Sequence, residues 1–250
     1  ESRTPTVEPS PTPSIYEYDD DDLGSSQVYW VDEFGTLDPL PAAGSREEKV
    51  WLTFLRVASL KFAAKVIADY TVGDNPRSDT LAYVAKYEDS PYWTLAVNLD
   101  GSDQPEVLIP TLVHEYAHLL SLGRDQMTGS SDDCETIDLY EGCLREEAWL
   151  WQFSEIFWSD YDDAPDPENS DWDVTDPFYA EHEDDFVSDY AATNVIEDFA
   201  ESFMVYVIED APIGDSVAAE KLRFFEAIPE FAAIRDRLRA EVASDLGIVP

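Results

Sequence analysis

Two histidines four residues apart, with a glutamate beside the first, constrain this chain of 250 residues more than any other feature: His114-Glu115-Tyr116-Ala117-His118. On a helix, positions i and i+4 lie one turn apart on one face, so both imidazoles can reach a single metal ion. Glu115 is then placed to take a proton from a water that the metal has acidified. A catalytic zinc site needs a third protein ligand and one open position. The fold must therefore press this helix against another element that supplies a ligand.

The spacing excludes one source. In the HExxHxxGxxH pattern a glycine and a third histidine follow, and here those positions hold Ser121 and Arg124. The remaining candidates are His182, the third histidine of the chain, or a carboxylate on a later helix. Val195, Ile196, Phe199, Ala200, Phe203, Met204, Val207 and Ile208 form an apolar stripe at helical spacing. At about 100° per residue, Glu197 lies at the edge of that stripe, with Glu201 one turn on and slightly farther out. Asp198 is expected to point away from the core. Glu197 is thus the better third ligand, and Glu201 a partner for a histidine N–H.

Charge narrows the partners. Fifty-five Asp and Glu against fifteen Lys and Arg give a formal net charge of −40. Such a polyanion repels nucleic-acid phosphate and anionic lipid, which excludes both. No apolar run approaches the roughly 18 residues that span a bilayer, the richest being Phe203–Ile208. Cys134 and Cys143 match neither a CxxC pair nor a four-ligand zinc cluster. They read as a short-loop disulfide of an exported protein.

Residues 1–27, with Pro5, Pro9, Pro11 and Pro13 among Ser and Thr and then Asp19–Asp22, read as an extended tether, which leaves 28–250 as one folded domain. From Ser45 to Tyr70 the pattern is helical, opened by a Ser45/Glu48 capping box. Leu81–Tyr87 and Tyr92–Asn98 read as a hairpin. The motif helix covers at least Thr111 to Leu122, with Pro110 near its first turn, since a proline inside a helix costs about 3 kcal/mol. Helices follow at 146–158, 195–209, 215–228 and 230–246. Residues 159–185 read as a solvated loop whose aspartates lack the calcium-loop spacing. A helix, a short sheet and then mainly helices predict an α+β fold.

Three segments together resemble a known family: His114–His118, Phe186–Asn194, and Glu197-Asp198-Phe199-Ala200-Glu201-Ser202-Phe203. They are similar to the gluzincin zinc metallopeptidases, in the branch that contains the anthrax lethal factor catalytic domain and the Pro-Pro endopeptidases. In that branch a tyrosine precedes the glutamate ligand by seven residues and a second glutamate follows it by four, as Tyr190, Glu197 and Glu201 do here. The resemblance implies a zincin-like domain, zinc held by His114, His118 and Glu197, Glu115 as the base, and Tyr190 supporting the transition state. It also implies an extended peptide or protein substrate paired along a sheet edge, for which Trp93–Asn98 is the expected strand. The expected activity is a zinc-dependent endopeptidase, secreted or tethered at the cell surface. The alternatives are a zinc amidase acting on a non-protein amide, and a secreted zinc-containing binding module without turnover. The intact Glu115 argues against the last, because holding zinc does not require it.

Overall fold

The computed structural model of the protein describes residues 22–88, 90–129, 133–210 and 214–249. Ser45 caps α1 (Arg46–Ala58) by accepting the Glu48 N–H, and the Glu48 carboxylate reaches back to the Gly44 N–H. Val50, Trp51, Phe54 and Val57 form its buried face. The single helix expected from Ser45 to Tyr70 breaks at Ser59, whose φ of 70° closes α1. The Ser59 hydroxyl then caps the short α2 (Leu60–Val66). Ile67–Gly73 is not helix but strand β3. Ile67 happens to continue the helical spacing, while the aromatic and β-branched run Tyr70-Thr71-Val72 suits a central strand.

Strands β1 (Gln27–Val31), β2 (Leu37–Asp38), β3, β4 (Ala82–Lys86) and β5 (Trp93–Asn98) form a sheet in the order β2-β1-β3-β5-β4. β3 and β5 are parallel, and the other neighbours are antiparallel. The expected hairpin is present, with Val84 opposite Leu95. The role expected of Trp93–Asn98 as a free edge is overturned. β5 lies between β3 and β4, so both of its edges are already hydrogen-bonded, and the outer strand on that side of the sheet is β4.

α3 (Pro105–Ser121) crosses this sheet and packs on β4, α1 and α8. It starts earlier than expected, at Pro105, whose missing N–H costs nothing in the first turn. Pro110 therefore lies inside the helix and leaves the Glu106 carbonyl without its amide donor. A second sheet, β6 (Met127–Thr128), β7 (Asp138–Leu139) and β8 (Gly142–Leu144), has the order β6-β8-β7. The Cys134–Cys143 disulfide clasps it.

Five helices follow: α4 (Trp149–Phe157), α5 (Trp172–His182), α6 (Val195–Ile208), α7 (Val217–Glu226) and α8 (Pro229–Leu246). α5 corrects the expected loop at 159–185. Asp171 caps it by accepting the Asp173 N–H, and Thr175 and Phe178 supply enough buried surface to hold it despite the acidic composition. α6 is the hub of the helical part, packed on α3, α4, α7 and α8. For that reason the expectation for Asp198 fails: it is 0% exposed, as is Lys221, because the far side of α6 meets α7 rather than water. The two pair at 2.7 Å, and Asp198 also accepts from Trp158 Nε1 at 2.8 Å and Ser202 Oγ at 3.1 Å.

Residues 1–21 of the expected tether lie outside the described residues. Residues 22–27 belong to the packed body. Leu23 is buried, Asp22 accepts from the Ser78 hydroxyl, and Gln27 opens β1. The architecture is α+β, and among the described residues no helix is long and apolar enough to cross a membrane.

Candidate metal centre

α3 and α6 lie against each other, and their contact builds the site. His114 and His118 sit one turn apart on the buried face of α3. Asn194 fixes the start of α6: its side-chain oxygen accepts the N–H of Ile196 at 2.8 Å and of Glu197 at 2.9 Å. That cap sets Glu197 in the first turn, facing α3. His114 Nε2 and His118 Nε2 are 3.0 Å apart, and Glu197 Oε2 lies 3.1 Å from the first and 3.4 Å from the second. His114, His118 and Glu197 thus form one group able to hold a metal ion.

The donor set and its spacing suit zinc. A tetrahedron with bonds of about 2.05 Å has edges of about 3.3 Å, close to all three separations. Glu201 settles which nitrogen of His114 is free. Its Oε1 lies 2.8 Å from His114 Nδ1, and an ionised carboxylate only accepts, so Nδ1 carries a proton and Nε2 is the nitrogen that faces the centre. Glu201 is itself held by the Ser188 hydroxyl, which donates to Oε2 at 2.7 Å. Two imidazoles and a carboxylate this close need a positive charge among them, supplied by a proton or by a metal ion.

The electrostatics agree. Burial opposes charge on His114, but hydrogen bonds to Glu197 and Glu201, with the Glu115 charge, outweigh it and push its pKa up to about 10. Burial favours neutral Glu197, yet His118 and His114 hold its carboxyl well below the usual range. Both shifts describe a pocket that prefers a positive charge. Glu115 is buried beside the cluster and accepts the Val84 N–H at 3.0 Å. Burial raises its pKa against the opposing pull of both histidines.

Tyr190 begins a short 3-10 turn over the site, and its ring centroid is 5.9 Å from that of His114. At 42% exposure it is the most open of the five predicted site residues. Burial of its hydroxyl and the charges of Glu197 and Glu115 raise its pKa, so it stays a neutral donor. His182 is elsewhere. Its ring packs on Tyr161 and Phe178, and its Nε2 lies 3.4 Å from Asp163. It is therefore not the third ligand.

A cleft of about 430 Å³ opens from His118 and Glu197, walled by Val84, Trp93, Tyr140 and Trp172. Several residues that shape it escaped the sequence reading. Asn169 donates to the Thr193 carbonyl at 3.0 Å, and Asn194 donates back to the Asn169 carbonyl at 2.9 Å, which pins the acidic loop over the start of α6. Ser188 falls in the segment that carries the family resemblance, but nothing in its spacing marks it as the clamp on Glu201. No family model, curated protein or solved structure matches this chain.

Proposed function

We propose that this protein is a zinc-dependent endopeptidase of the gluzincin type, with a zincin-like domain, acting outside the cell. The observation that carries the reading is the convergence of His114 Nε2, His118 Nε2 and Glu197 Oε2 beside a buried Glu115. His114, His118 and Glu197 would hold the ion, with Glu201 and Ser188 orienting His114. Zinc in such a site lowers the pKa of water to about 7 and polarises a carbonyl oxygen. Glu115 accepts the proton of the attacking water and delivers it to the leaving amine. The Tyr190 hydroxyl donates a hydrogen bond to the oxyanion that develops on the substrate.

The outer edge of β4 is the natural rail for an extended peptide. The Val84 N–H points from it toward Glu115, so a paired chain would pass directly over the base. The disulfide supports an oxidising compartment.

The test is cleavage of a peptide library by the zinc-loaded protein and by Glu115→Gln, with zinc content measured on both. The reading requires cuts by the wild type, a loss of about 10²–10⁴-fold in Glu115→Gln, and equal zinc. Persistent turnover in the variant would refute the role of Glu115. Zinc bound in both without any cut would shift the reading to a non-peptide amide or to a binding module.

A further inference from the structure

The Cys134–Cys143 segment, which carries no part of the metal centre, supplies one wall of the cleft. Its strands β7 and β8 are joined by the two-residue turn Tyr140-Glu141. The turn closes on Gly142, whose φ of 135° is open to glycine and strained for other residues. Two contacts hold the tip against the site. Lys86 Nζ on β4 donates to the Glu141 carbonyl at 2.5 Å, and the Tyr140 N–H donates to Glu168 Oε1 at 2.7 Å. Glu141 and Glu168 both line the cleft, and among the described residues no lysine or arginine does.

Burial and the neighbouring Glu168 raise the Glu141 carboxyl above its ordinary pKa, although its own backbone N–H and the charges of His118 and Lys86 work the other way. Those positive charges do not offset the burial of the Glu141 carboxyl. Trp93, Leu122, Trp172 and Ile196 give the lining a large apolar share beside its asparagine, serine and threonine side chains. Lysine and arginine combine an aliphatic stem with a terminal cation and match both features. Leucine or phenylalanine would cover the half-buried Glu141 carboxylate without giving it a countercharge, and an acidic side chain would face like charge from Glu141 and Glu168.

We propose that the cleft is a specificity pocket for a lysine or arginine side chain of the substrate, with Glu141 as the residue that selects it and Glu168 in support. This deepens the peptidase reading and rests on it for the word substrate. The pocket itself can be tested separately.

A positional-scanning peptide library compares lysine and arginine with norleucine, which keeps the lysine stem and drops the charge. The zinc-loaded wild type should favour the cation by about tenfold or more at one fixed position beside the cut. Glu141→Gln should bring that ratio close to one. Glu230→Gln, a charge removal on α8 away from the cleft, should keep it, which separates a local pocket from the attraction of the net charge. A ratio near one in the wild type, or a ratio untouched by Glu141→Gln, overturns the proposal.

If no peptide is cut, the same peptides are titrated calorimetrically onto zinc-loaded Glu115→Gln, with and without Glu141→Gln. Lysine-selective binding that Glu141→Gln removes would sustain the pocket while the peptidase reading fails. Binding without selectivity, or none, would overturn the pocket as well.

Discussion

Replacing Lys221 with methionine tests whether the buried pair behind the metal centre supports the fold. Lys221 on α7 is wholly enclosed. Its Nζ meets Asp198 at 2.7 Å and the Asp185 carbonyl at 2.8 Å, and it lies 3.7 Å from the Phe186 ring centroid. Methionine fills most of the stem volume but leaves the Asp198 carboxylate buried without a countercharge. Breaking one partner of such a pair costs about 3–5 kcal/mol. Trp158 and Ser202 still donate to Asp198, which places the expected loss at the lower end, about 3 kcal/mol. That is a large share of the 5–15 kcal/mol typical of a domain. Lys221→Met combined with Asp198→Asn removes both charges and keeps the carboxylate's shape, so it should recover most of the loss. Urea unfolding followed by circular dichroism, with the disulfide oxidised, measures all three proteins. A single variant within about 1 kcal/mol of the wild type, or a double variant no better than the single one, would refute the reasoning.

Zinc affinity, read by competition with a chelator, should fall furthest in Glu197→Ala and by about 10–100-fold in Glu201→Ala, which frees His114 Nδ1. Asp198→Ala should instead lower stability and leave the affinity of the folded fraction nearly intact, and equal affinities in all three would sink the ligand assignment. The preference for lysine over norleucine should decline as pH falls, because only ionised Glu141 attracts the cation. With Glu168, Lys86 and His118 as its charged neighbours and burial raising its pKa, the decline should begin above the usual carboxylate value of about 4.3; a ratio constant down to pH 4 contradicts this. Replacing Cys134 and Cys143 with serine should cost about 2.5–3 kcal/mol in urea unfolding, from the entropy of the short loop they close, and a loss under about 1 kcal/mol would rule that account out.

The elements with strong local signals are the ones legible in the chain. The α1 capping box, the β4–β5 hairpin and the stripe on α6 all depend on residues within a few positions of one another, and each appears where the spacing puts it. His114 and His118 share a face because helical geometry requires it. Glu197 and Glu201 could be picked as neighbours of a buried face for the same reason.

What the sequence did not determine depends on which surfaces meet. Asp198 sits outside the apolar stripe by periodicity, yet α7 brings Lys221 to it, and a paired charge can be buried where a lone one cannot. Trp93–Asn98 reads as a strand, but whether its edge is free depends on β3 and β4 pairing with it, and β3 was hidden inside an apparent helix. The disulfide loop carries no motif of its own. It becomes a wall of the cleft only because β4 and the acidic loop hold its tip there. Local periodicity decides which face of an element is apolar, whereas the packing of distant elements decides what that face meets and where polar groups find partners.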